Sequence, residues 1–216
     1  MQDLTPYLPG LFGVYAAIAV AFTSPGPNFL TIASRSVDNR SNGIFAAFGI
    51  SLGTGIWALF AATGITALLN ANKNAAYILG CLGGLYLCWL GFKSLKSVRQ
   101  PSSINVSDLS VKVPSRRLKS LREGLLVQLT NPKSAIFWLS VTSLAVTPEA
   151  PAMIIVLLVA GCFTIAIAWH LLLALVFSSG PARSTYLRVK PIISLVFGLL
   201  FLGFGLKLAY ANFVNL

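Results

Sequence analysis

Two clusters interrupt otherwise apolar stretches of this chain, and both carry groups that could hold an anion or a zwitterion. They are Ser24-Pro25-Gly26-Pro27-Asn28 and Asn131-Pro132-Lys133. A proline deletes a backbone hydrogen bond and clashes with the turn before it, so a helix running into either cluster is broken there. The backbone groups freed by a break must find partners, and within a membrane a bound solute can supply them. A helix that restarts after Pro27 or Pro132 presents N–H groups suited to a carboxylate. Asn28 and Asn131 add side-chain amides, and Lys133 adds a cation. Gly26, Pro27, Asn28, Asn131, Pro132 and Lys133 are therefore the expected substrate-binding residues, with an amino acid as the class of solute they suit. The competing reading makes the prolines packing kinks and lets Lys133 snorkel to the membrane surface.

The remaining polar residues offer less. Asp38 is the only acid between the first two apolar spans and stands near Arg35 and Arg40; Asp38 and Arg35 are the expected coupling or gating pair. Glu123 and Glu149 fall at the ends of an apolar span, where a solvated position is expected, and no acid sits mid-span as a proton relay. His170, inside AIAWHLLLALV, could titrate or hydrogen-bond across helices. Cys81, Cys88 and Cys162 form no CxxC pair and read as small packing residues. Trp57, Trp89, Trp138 and Trp169 read as packing or interface residues. No nucleophilic triad, metal cluster or phosphate loop is present in the sequence, so neither an enzyme nor a cofactor is expected.

These groups sit in a chain built to cross lipid. Of its 216 residues 56% are hydrophobic and only 10% charged, against about 25% charged in a soluble domain; the mean hydropathy is +0.80. Charge-free stretches at 4–34, 44–72, 74–92, 150–182 and, shorter, 191–206 approach or exceed the roughly 20 residues that span a bilayer. A sixth span follows Gly124. It either runs through the break to Val146, or Asn131 caps a fresh helix with Pro132 at its first position. The expectation is an all-α polytopic membrane protein with six transmembrane helices. Residues 1–9 lack Lys and Arg, so the first span is expected to stay in the protein. The net charge of +11 lies in short loops rather than on a nucleic-acid-binding face. Loops one, three and five hold 2, 8 and 3 basic residues, whereas loops two and four hold 1 and none. Positive loops stay cytoplasmic, which puts both termini on the outer side, the periplasmic one in a bacterial inner membrane.

The halves also look related. Gly84, Gly91 and Lys93 recur with the same spacing as Gly198, Gly205 and Lys207. Each half has one proline cluster near its start and three spans, and an odd number of spans forces the halves into opposite orientations. This is a 3+3 inverted repeat of the kind used by alternating-access carriers. The divisions are 1–99 for the first repeat, 100–123 for a basic cytoplasmic linker and 124–216 for the second. Gly49 and Gly53 form a GxxxG pair that would permit close helix approach.

In combination these motifs resemble the LysE/RhtB family of amino-acid exporters. The resemblance rests on SPGPNFL at 24–30, Gly43-x5-Gly49-x3-Gly53, Thr130-Asn131-Pro132-Lys133-Ser134-Ala135-x-Phe137, Leu85-Tyr86-Leu87-x2-Leu90-Gly91 and Phe204-Gly205-Leu206-Lys207-Leu208, and covers nearly the whole chain. Ser134 departs from the alanine usual after the NPK triplet. The resemblance implies a secondary transporter of the bacterial inner membrane that exports threonine- or homoserine-like amino acids or close derivatives, coupled to the proton gradient. The partners it implies are an amino-acid solute, protons, the bilayer and further copies of the chain. The alternatives are a structural membrane subunit without transport and a carrier of another ion or metabolite.

Overall fold

The computed structural model describes residues 3–23, 26–71, 73–98, 117–142, 145–147 and 150–214. Ser24, Pro25, Glu149 and linker residues 100–116 lie outside the described residues, as do the side chains of Asp38 and Pro132. Among the described residues every element is helical: α1 (Leu8–Thr23), α2 (Pro27–Asp38), α3 (Arg40–Ala71), α4 (Lys73–Val98), α5 (Arg117–Thr130), α6 (Pro132–Thr142), α7 (Ala152–Phe177) and α8 (Gly180–Phe213).

Four described helical stretches are long and apolar enough to cross a bilayer: Thr5–Thr23, Arg40–Gly64, Ala152–Phe177 and Arg188–Phe213. Their outer faces carry Phe12, Phe60, Leu206 and Tyr210, all more than 60% exposed. So many large apolar side chains outside the core fit lipid, not water, as the surrounding solvent. The interrupted span behaves as the capping alternative describes. At 1.5 Å per residue, α5 and α6 reach only about 21 and 17 Å, too short for either to cross alone. The third expected span, α4, has 26 residues and thus sufficient length.

Two sequence boundaries move. The interrupted span expected after Gly124 does not begin there; α5 starts at Arg117 with a basic turn. The fifth loop is helical from Gly180, and Pro191 sits inside α8 rather than starting it.

Glycines set how closely the helices meet. α4 and α8 run antiparallel. A Cβ on Gly84 would stand 2.7 Å from the Gly205 carbonyl oxygen, and one on Gly91 would stand 2.8 Å from that of Gly198. Cys81 and Cys88 line the same seam, with Sγ directed at the carbonyls of Ala209 and Leu202. They are packing residues in contact with α8, and Cys162 is fully buried. The GxxxG pair works as its spacing suggests: Gly49 lies against the α5 backbone at Leu121 and Leu125, and Gly53 against Gln128. Gly124 answers from α5, facing the Ala46 carbonyl. Any larger residue there would push α3 and α5 apart.

Candidate functional site

The second break is a designed helix start. Asn131 is its cap: the side-chain Oδ1 accepts the backbone N–H of Lys133 at 3.1 Å, and its carbonyl accepts those of Ser134 and Ala135. This is the usual way an Asn satisfies the orphan donors of a first turn. Pro132 then occupies the first helical position, where its missing N–H would be unpaired in any case. The first break is arranged similarly. Gly26 is extended, Pro27 opens α2, and the Gly26 carbonyl accepts the N–H of Leu30 at 2.9 Å.

Each interruption leaves a carbonyl of the preceding helix without its partner. In α5 the N–H that Gln128 O would receive belongs to position 132, which is proline. Trp57, from α3, supplies the donor: its indole Nε1 lies 3.2 Å from Gln128 O. In the other half Trp169, from α7, donates to the Phe22 carbonyl at 3.1 Å, in the last turn of α1. The packing role read for these two tryptophans is therefore incomplete. They stitch both breaks, each from the opposite half of the chain. The sequence signal was a tryptophan in the middle of each half's second span.

The two interruptions come together. Gly26, Asn28, Asn131 and Lys133 line one cavity of about 50 Å³, with Phe22, Phe29, Gln128, Ser134, Trp138 and His170 also in its wall. Lys133 reaches across: its Nζ would be 3.8 Å from a Cβ placed on Gly26. The wall is joined by a network centred on Gln128, which is 2% exposed. Gln128 Oε1 accepts from Asn28 Nδ2 and, at 3.0 Å, from the Ser134 hydroxyl; its Nε2 donates to Thr54 at 3.0 Å. Asn131 Nδ2 approaches Asn28 Oδ1 at 3.5 Å. Ser134, the departure from alanine, thus contributes a hydroxyl to this network. Gln128, Thr54 and Ser134 were not among the expected site residues. They are short or neutral polar groups scattered through apolar helices, and only packing brings them to one place.

Toward the end rich in basic residues, α2 and α5 continue side by side in opposite directions. Arg35 forms an ion pair with Glu123 there. Glu123 is therefore not simply a solvated span end, and the described partner of Arg35 is Glu123. Asn131 lies eight residues beyond Glu123, or about 12 Å along a helix. The cavity thus lies inside the helix bundle, away from the Arg35–Glu123 pair. Among its described lining residues Lys133 is the only lysine or arginine and no acid is present. A single buried cation among amide and hydroxyl groups favours a carboxylate-bearing solute.

Residues 19–212 match the family described as LysE type translocator. The chain belongs to this family. It is an all-α, multi-pass membrane translocator. It is 30% identical over 190 residues to the threonine efflux protein of Escherichia coli K12, spanning 88% of this chain and 92% of that relative. It is similar also to the leucine efflux protein of Enterobacter sp. strain 638, at 30% identity over 194 residues covering 86% and 88% of the two chains. The membrane protein YahN of Escherichia coli K12 is 26% identical over 214 residues, 97% of this translocator and 94% of the relative. No solved structure matches the chain.

Proposed function

We propose that this translocator exports small amino acids, threonine- or homoserine-like, across the bacterial inner membrane in exchange for protons. The observation that carries the reading is the meeting of two proline-broken helices at one deep polar cavity, with the Lys133 ammonium beside Gly26. Gly26, Pro27, Asn28, Asn131, Pro132 and Lys133 form the substrate-binding set. The carboxylate lies at Lys133, near the restarted first turns of α2 and α6. The solutes for which those relatives are named, threonine and leucine, belong to the same class.

In this reading α1 with α2, α3 and α4 make three crossings, and α5 with α6, α7 and α8 make three more in the opposite orientation. The first repeat covers 1–99, the linker 100–123, which includes the basic first turns of α5, and the second repeat 124–216. The cross-half tryptophan pairings at both breaks support such an inverted repeat. Basic residues at the α2, α4, α5 and α8 ends support a cytoplasmic face there and periplasmic termini. Arg35 gates the cytoplasmic side through Glu123, and Asp38, at the end of α2, couples efflux to protons.

The test is efflux from proteoliposomes loaded in turn with a panel of labelled amino acids, under an imposed proton gradient. Threonine or homoserine should leave several-fold faster with the protein than without it. Equal rates across the panel, with inserted protein, would overturn the reading.

A further inference from the structure

One wall of the cavity carries an imidazole with no part in the scheme above. His170, on α7, is 2% exposed and lines the cavity. Its Nδ1 lies 3.0 Å from Ser51 Oγ on α3. Ser51 has a single hydroxyl proton, and directs it to the Ala47 carbonyl at 2.8 Å. The bond between them is therefore donated by Nδ1–H. In the neutral ring this leaves Nε2 as a lone-pair acceptor, because the bond made by one nitrogen sets the state of the other. The Phe22 ring, 4.6 Å away centre to centre, holds the imidazole in place.

The amide oxygens in the wall already accept hydrogen bonds from within it, Asn28 Oδ1 from Asn131 among them. Gln128 Oε1 already accepts two hydrogen bonds, and Asn131 Oδ1 takes the Lys133 N–H. Among the described lining residues there is no aspartate or glutamate. An amino acid placed with its carboxylate at Lys133 still needs an acceptor for its ammonium group, since a buried charge without hydrogen bonds is costly.

We infer that His170 Nε2 accepts a hydrogen bond from the substrate's ammonium group, so that the solute lies across the cavity with its carboxylate at Lys133 and its amine at α7. This deepens the exporter reading and rests on it. The site reads the two ends of the zwitterion unequally: the carboxylate by a full charge, the amine by a neutral imidazole.

Two substitutions separate this role from a structural one. Asparagine can reproduce Nδ1 and keep the Ser51 bond while vacating the cavity side; glutamine extends a carbonyl to where Nε2 stood. Labelled threonine transport is measured in proteoliposomes of the wild type, His170→Asn and His170→Gln. We expect KM to rise roughly 10-fold or more in His170→Asn, the loss expected of a hydrogen bond to a charged group. His170→Gln should stay within about 3-fold of the wild type on the same scale. An unchanged KM in His170→Asn, or equal damage in both, would overturn the inference. Should the variants fail to insert, the wild type suffices: unlabelled N-acetylthreonine, which has no ammonium, should compete at least about 10-fold more weakly than threonine. Equal competition would overturn the inference. Absence of any wild-type transport of the panel would instead count against the exporter reading itself.

Discussion

Trp57 donates its indole N–H to the Gln128 carbonyl at 3.2 Å, replacing the bond that Pro132 cannot make. In lipid no water is at hand to take over that carbonyl. The same Gln128 centres the side-chain network between Asn28, Ser134 and Thr54. One α3 residue thus fixes both the end of a broken helix and the residue that organises the cavity wall.

Trp57→Phe keeps most of the apolar volume and leaves the carbonyl unpaired. It should lower stability by about 1–3 kcal/mol, the cost of an orphaned buried polar group. Trp169→Phe should act likewise through the Phe22 carbonyl. Thermal unfolding in detergent checks both; an unchanged midpoint would remove the stitching role.

Lys133→Met keeps the aliphatic stem and removes the charge. Efflux should fall roughly 10-fold or more, as expected when a hydrogen bond between charged partners is lost. Membrane insertion should persist, because Asn131 and Pro132 still start α6. Equal efflux at equal protein level would return Lys133 to a topological role.

The Arg35–Glu123 pair predicts a charge-swap rescue. Arg35→Glu and Glu123→Arg should each disturb efflux by setting like charges together, and the double variant should regain much of the loss. The expected coupling is about 1 kcal/mol or less, or roughly up to 5-fold in rate, because partly exposed pairs are screened. Strictly additive effects of the two substitutions would show that the pair has no gating role.

Asp38→Asn removes the acid assigned to coupling. A carboxylate that must ionise to drive exchange supports efflux above its pKa and loses it as pH falls through that value. The variant should therefore show a flatter rate–pH curve than the wild type, with a lower maximum. Identical profiles would exclude Asp38 from coupling.

The breaks were legible because proline chemistry is local: Pro27 and Pro132 announce a gap whatever surrounds them. Lys133 was legible because a cation in an apolar span is rare. The GxxxG pair was legible from spacing alone. Gln128 and Thr54 were not. A glutamine in LREGLLVQLT and a threonine in ISLGTGI look like neutral residues of an interface until α3 and α5 are laid together at Gly49 and Gly124. The stitching by Trp57 and Trp169 needs contacts between residues 71 and 147 positions apart, and no periodicity encodes those. Arg35 meets Glu123, on a helix far along the chain, because α2 and α5 run side by side in opposite directions, a matter of tertiary arrangement.

The α4–α8 seam has one more property. Gly198 and Gly205 lie 114 residues after Gly84 and Gly91. Exchanging each glycine for its counterpart turns the Gly84–Gly205 contact into Gly198–Gly91, which is the other contact of the seam. A surface that maps onto itself in this way is what two copies of one polypeptide form across a dyad. Within a single molecule only the glycine pattern of the seam has that symmetry: a Cβ on Gly84 would meet the Ala209 backbone, whereas one on Gly198 would meet the Leu95 side chain, which can give way.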